Sequence, residues 1–255
     1  MLDVIIFAAG LFIVRSGLVI ILQRLARSQF ASRTRIYRLP ITEEQRSRER
    51  GWQQGIFIDS LVIILLSWMV GVSYRSSTIR GFSLMAVSHV FVVEFIYYWY
   101  HRALHTPYLY RNHHIRHHLS TVTEPVTAIT FTFSERLSYT FLFTVPAFIT
   151  NCFGMLSFLE LGAYLLVFDF LNYTGHFNFE FLPKWFLRTP LKWLVYSPSY
   201  HSQHHSKILK NYALFMPIYD LFFGTLEPDT DKVFYQSIEG KGLKSLTEKP
   251  ISITT

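Results

Sequence analysis

One cysteine, Cys152, is all that this 255-residue chain contains. A disulfide framework, an iron–sulfur cluster and a cysteine-rich zinc module each need several thiolates, so all three are excluded. Charge is scarce as well: Asp, Glu, Lys and Arg make up 16% of the residues, against about 25% in a typical soluble domain. No internal repeat, low-complexity tract or HExxH zinc-protease motif is present. Apolar residues are abundant instead, 50% of the chain with 17% aromatic, which excludes intrinsic disorder. A membrane protein, or an unusually apolar globule, is what these shortages leave.

The charge that exists is basic and unevenly placed. The formal net charge is +7. Residues 24–50 hold eight arginines against three glutamates, whereas between Arg116 and Lys184 the one lysine or arginine is Arg136. Basic loops alternating with long neutral apolar runs fit positive-inside membrane topology better than a nucleic-acid patch. The first apolar run contains Arg15 and has no basic region before it, so a cleaved signal peptide is not expected.

The fold expected is all-α: an integral membrane bundle of about four to five embedded helices with a cytoplasmic helical cap. A helix needs about 20 residues to cross roughly 30 Å of hydrocarbon. Candidates are 4–22, 56–72 and 82–100, the last ending in an aromatic belt (Tyr97, Tyr98, Trp99, Tyr100), with 137–150 and 153–171 as a hairpin. Residues 184–196 mix aromatics with Lys184, Arg188 and Lys192, and read either as an interfacial segment or as an ordinary amphipathic helix. Three regions are expected: a membrane anchor with a basic cytoplasmic loop (1–80), a catalytic part (81–231) and a polar tail (232–255). From Glu227 onward the composition predicts poor order.

Histidine is the residue that stands out. Six of the eleven fall in 101–118 and three in 201–205. His101 and His105 are four apart, which on a helix places both imidazoles on one face. His114, His117 and His118 form an HxxHH pattern, and His201, His204 and His205 repeat it. Eight imidazoles exceed the three or four ligands of a single tetrahedral ion and point to two metals. Imidazole suits zinc, copper, iron and nickel, so residue type alone does not name the metal. His176 lies four residues after Asn172 and between the clusters, and is a ninth candidate, with Asn172 supporting it. Glu94, Asp169 and Glu124 are acidic candidates for hydrogen-bonding the outer nitrogens of ligand histidines. For Glu94 the alternative is an ion pair with Arg15. His113 and His89 are left outside the set, and Arg116 is a supporting or surface group.

At these residues the chain resembles the membrane fatty acid hydroxylase superfamily, also called the sterol desaturase family. Its hallmark is HxxxH, HxxHH and HxxHH on the cytoplasmic side of a few transmembrane helices. The resemblance runs from about residue 92 to 231. It is strongest to the amino-terminal half of plant wax-pathway aldehyde decarbonylases, through EFIYYWYHRALH (94–105), TVTEPVTA (121–128), NYTGHFNFE (172–180) and YSPSYHSQHHSKILKNYALFMPIYDLFFGT (196–225). C-4 sterol methyl oxidases share the boxes but fit those stretches less well. Departures from the plant pattern are His113 where an aromatic usually precedes the middle box, and Arg116 where a further histidine often stands.

The resemblance implies a di-iron centre that uses O₂ on a lipid, by hydroxylation, C-4 sterol methyl oxidation or fatty aldehyde decarbonylation. It further implies cytochrome b5 or a reductase as electron donor, and the endoplasmic reticulum in a eukaryotic source. Phe131, Phe133, Phe141, Phe143, Phe168 and Phe170 are read either as the lining of a lipid slot or as plain core. The alternative class is a membrane metal-binding protein or a catalytically silent partner subunit. A transporter would place its ligands inside the spans, and a silent partner would have lost box residues.

Overall fold

The computed structural model describes residues 2–72 and 77–251. Residues 252–255, the end of the expected tail, lie outside the described residues. Among the described residues there are no strands, only two isolated bridges, Arg35 with Phe179 and Tyr37 with Leu243. Seven longer helices organise the chain: α1 (Leu2–Ala26), α2 (Trp52–Met69), α3 (Ile79–Leu104), α4 (Phe133–Cys152), α5 (Phe158–Gly175), α6 (Pro198–Lys207) and α7 (Thr230–Ile238). Within α3, His89–Val93 form a π turn.

The first five helices make one bundle. α1 packs on α2 and α5, α4 on α2 and α3, and α5 on α3. Two of them, α3 and α4, start at side-chain caps that satisfy otherwise unpaired amides: Thr78 Oγ1 accepts from Gly81 N, and Thr132 Oγ1 from Glu135 N. Arg15 does not face lipid. It is buried and donates bidentately to Asp169 on α5 at 2.6 and 3.0 Å. A second buried pair, Arg136 with Asp59 at 2.9 Å, joins α4 to α2. Gly55 lies under that guanidinium, and a Cβ there would overlap it.

α1 and α3 are long and apolar enough to cross a membrane. The other bundle helices carry more polarity than the sequence runs suggested. α4 begins four residues before the region expected at 137 and takes in Ser134, Glu135 and Arg136, while α5 extends to Gly175 through Asp169 and Asn172. Large apolar side chains nonetheless face outward along the bundle, among them Ile13, Trp68, Phe91, Phe148 and Leu159, as expected of a surface that meets something other than water.

Two expectations are corrected. Residues 184–196 form no continuous amphipathic helix but two short turns, Lys184–Arg188 and Leu191–Leu194. Pro190 disfavours helical geometry at Thr189, which is extended. The region after Glu227 is ordered: α7 runs across position 231, Phe234 is fully buried near Phe186, and Leu243 exchanges backbone hydrogen bonds with Ile36 and Arg38. Three of its apolar residues, Val233, Phe234 and Leu243, face inward, so low average hydropathy concealed a packed segment.

Candidate metal centre

The histidines come from four places beside the bundle. His101 and His105 lie in the last turn and at the C-cap of α3. The middle box follows through a π turn, Tyr110–His114, and a short α turn, Ile115–His118. His176 caps α5. The last box rides on α6, which opens with Ser197 Oγ accepting from Tyr200 N and Pro198 in the first turn. Gly175 is required before His176 because the Tyr196 ring lies where a Cβ would stand. Tyr196 in turn donates its hydroxyl proton to Leu171 O at 3.0 Å.

All nine predicted histidines are buried, and they fall into two groups. His101, His105, His114, His118 and His204 form one; His117, His176, His201 and His205 form the other. Within each, one nitrogen per residue lies within 4.8 Å of the rest. The division follows from helix geometry. Adjacent residues diverge by about 100° around a helix, while i and i+4 share a face. His114 and His118 therefore serve one group and His117 turns to the other; His201 and His205 serve the second and His204 turns back to the first. Each HxxHH box thus contributes to both groups. The groups adjoin: the His118 and His205 rings stack at 4.7 Å, and those of His114 and His117 are 5.5 Å apart.

Outer hydrogen bonds set which nitrogen faces inward. His101 Nδ1 donates to Tyr212 O at 2.7 Å, His204 Nδ1 to Lys210 O at 2.7 Å, and His176 Nδ1 to Asn172 O at 2.8 Å. A carbonyl only accepts, so the proton is on Nδ1 and the lone pair on Nε2. His114 Nδ1 lies 2.5 Å from Glu135 Oε1, with the same consequence while that carboxyl is ionised. Nε2 of His101, left bare by its carbonyl bond, faces Nε2 of His114 at 3.1 Å; with Glu135 ionised both are acceptors, and a cation between them satisfies both. Both nitrogens of His105 and of His205, Nε2 of His204 and Nδ1 of His117, His118 and His201 have no hydrogen-bond partner. A buried set of unpaired, lone-pair-bearing imidazoles fits metal ligation.

Electrostatics agree. Burial first, then neighbouring histidines, pushes His105, His114, His117, His118, His201 and His205 well below the usual imidazole range. His176 is pushed down to about 3 and His204 to about 4, each by burial partly offset by its carbonyl hydrogen bond. Neutral imidazole is the ligating form.

The predicted acids do not sit where they were expected. Asp169 is occupied by Arg15. Glu124 accepts from Arg27 and Gln23 on the basic side. Glu94 touches neither Arg15 nor a grouped histidine; it accepts from Phe215 N and Met216 N at 3.2–3.3 Å, and its nearest imidazole is that of His89 at 3.4 Å. It steadies the loop whose Tyr212 carbonyl holds His101. Asn172 supports His176 through its backbone carbonyl, while its amide donates to Ala128 O. His113, outside both groups, pairs with Ser134 at 2.7 Å, and Arg116 is exposed.

Sequence reading missed Glu135 and Asp220. Asp220 is fully buried and accepts from Tyr212 N and Ala213 N at 2.8 Å, from Thr225 Oγ1 at 2.6 Å and from the Tyr200 hydroxyl.

A helical bundle with two helices long and apolar enough to cross a membrane, bearing two adjoining buried histidine groups, defines a class of candidate two-metal proteins. The fatty acid hydroxylase family model matches residues 86–225, and the chain belongs to that family. It is 43% identical over 204 residues to Protein CER1-like 1 of Arabidopsis thaliana, covering 78% of this chain and 32% of that one. It is 39% identical over 214 residues to very-long-chain aldehyde decarbonylase GL1-6 of Oryza sativa subsp. japonica (82% and 34%). Very-long-chain aldehyde decarbonylase CER1 of Arabidopsis thaliana is 37% identical over 213 residues (82% and 34%). The chain spans about a third of the length of these relatives. No solved structure matches it.

Proposed function

We propose that this chain is a membrane-embedded, O₂-dependent di-iron oxidoreductase acting on a long-chain lipid, with a fatty aldehyde as the favoured substrate class. The observation that carries the reading is the gathering of nine buried imidazoles into two adjoining groups, with one nitrogen of each within 4.8 Å of the others in its group. His101, His105, His114, His118 and His204 would hold one ion, and His117, His176, His201 and His205 the other. Bound iron supplies O₂ activation and electron transfer.

The chain's own residues supply the rest. Tyr212, Lys210 and Asn172 carbonyls fix the imidazole tautomers, and Glu135 raises the basicity of His114. Tyr97, Phe131 and Tyr139 exclude water from the bundle side of the site: Tyr97 lies 5.0 Å from His101 and Phe131 5.1 Å from His117. The aldehyde assignment draws on the names of the rice and Arabidopsis relatives. In this reading the catalytic part is 81–231, further bundle helices join α1 and α3 in the bilayer, and the histidines lie at the cytoplasmic face, in the endoplasmic reticulum of a eukaryotic cell. Cytochrome b5 or a reductase docks on that face, which the arginines of 24–50 make basic.

The test is metal analysis of protein expressed with ample iron, paired with lipid profiling of cells with and without the gene. About two irons per chain and new alkanes are expected. One ion or none would overturn the di-metal reading; a hydroxylated chain or loss of 4-methyl sterols would replace decarbonylation by the sister reactions.

A further inference from the structure

Two cavities flank Phe168. The inner one, about 70 Å³, is bounded by Tyr97, Phe131 and Tyr139, the aromatics against the histidines, and by Phe143 and Phe168. The outer one, about 270 Å³, lies between α3 and α5 along Met85, Val90, Ala163 and Val167, and is walled by Phe168 and Phe215. Phe168 lines both. It is buried, its ring 4.2 Å from Phe143 and 5.4 Å from Phe215. Of the six phenylalanines weighed as a slot, Phe131, Phe143 and Phe168 border the inner cavity, whereas Phe133, Phe141 and Phe170 face outward.

The outer cavity suits a hydrocarbon. Most of its polar lining is engaged: His89 Nδ1 and the Tyr164 hydroxyl pair at 2.9 Å, and Glu160 takes Thr78 N at 2.8 Å and the Ser157 hydroxyl, leaving His89 Nε2 as its one polar atom without a hydrogen-bond partner among the described residues. The two helices that form it present Val87, Phe91, Val167 and Phe170 outward, all well exposed, so it opens on an apolar face. No histidine lines the inner cavity, which also borders the Arg15–Asp169 and Arg136–Asp59 pairs; a chain whose reacting end reaches the histidines past Tyr97, Phe131 and Tyr139 outgrows it within a few carbons. Its continuation leads past Phe168 into the outer cavity, nearly four times larger.

We propose that the two cavities are halves of one acyl-chain channel and that Phe168 is the specificity-determining residue between them, deciding how long a chain reaches. This rests on the reading of the site as a lipid oxidoreductase. With the ring in place the volumes are separate, and a long chain must displace it; a smaller side chain joins them. One methylene more or less in an apolar pocket changes discrimination by about tenfold or more.

The experiment uses the full iron-loaded chain in lipid nanodiscs with saturated fatty aldehydes from medium to very long. Two readouts are taken: the length of chain retained by the protein, by mass spectrometry before turnover, and relative kcat/KM in competition. Phe168→Ala is expected to raise the long-to-medium ratio about tenfold, Phe168→Trp to lower it, and Phe168→Leu, the mildest change to the fold, to fall between Ala and wild type. An unchanged ratio in the Leu and Trp variants, with wild-type conversion intact, would overturn the partition alone. A wild-type protein that neither retains nor converts any aldehyde would overturn the underlying reading as well.

Discussion

Glu135 shows how much one residue outside the ligand set can decide. It is the carboxylate behind a ligand histidine, buried and 2.5 Å from His114 Nδ1. Removing such a partner typically costs 10–100-fold in metal affinity or activity, roughly. Glu135→Ala is therefore expected to weaken iron binding at the five-histidine group by that order while the four-histidine group stays loaded, as read by metal titration of each variant. Equal loss at both groups would contradict the assignment. Glu94 works at longer range: it accepts from Phe215 N and Met216 N, and so acts on His101 only through the loop that carries the Tyr212 carbonyl.

At the scale of elements, the helix turn itself sorts the ligands. His117 and His118 are neighbours in sequence yet serve different groups. His118→Ala is expected to reproduce the metal loss of His105→Ala, and His117→Ala that of His201→Ala. Iron per chain in single and double variants checks this: doubles within one group lose no more than singles, while doubles across groups lose both ions. The bundle is tied by charge as well as by packing. Arg15 and Asp169 join α1 to α5 with both side chains buried. Cutting one partner leaves an uncompensated charge, so Arg15→Met alone is expected to destabilise by about 3–5 kcal/mol, and Arg15→Met with Asp169→Leu by much less. Thermal unfolding in detergent measures both, and equal destabilisation would show that the pair is not coupled.

The whole molecule couples stability to acid through the same histidines. Burial pushes them down, His204 to about 4 and His176 to about 3, whereas in the unfolded chain they take up protons near about 6.5. Below that value the unfolded state binds more protons than the folded one. The stability these groups contribute is complete above about pH 6.5 and is lost as the pH falls toward their folded values. Metal-free protein is expected to unfold at progressively lower temperature between about pH 7 and 5, with bound iron opposing the loss because protons and metal compete for the same nitrogens. A flat profile for the metal-free chain would count against neutral buried imidazoles.

How much of this could be read from residues alone varies with range. The all-α class and the nine histidines were legible, because apolar runs and i, i+3, i+4 spacings are local properties of one helix. The ordered segment after Glu227 was not, since three inward-facing apolar residues barely move the average of a polar stretch. Nor were the partners of the histidines: Glu135 is 21 residues from His114 and the Tyr212 carbonyl 111 from His101, and a backbone carbonyl has no residue-type signature. What the sequence determined by itself is the ligand chemistry, through residue type and helical spacing. Only the tertiary structure decided which histidines share a group, which acids are already spent on arginines, and that one phenylalanine stands between two cavities, because each of these depends on how separate helices pack together.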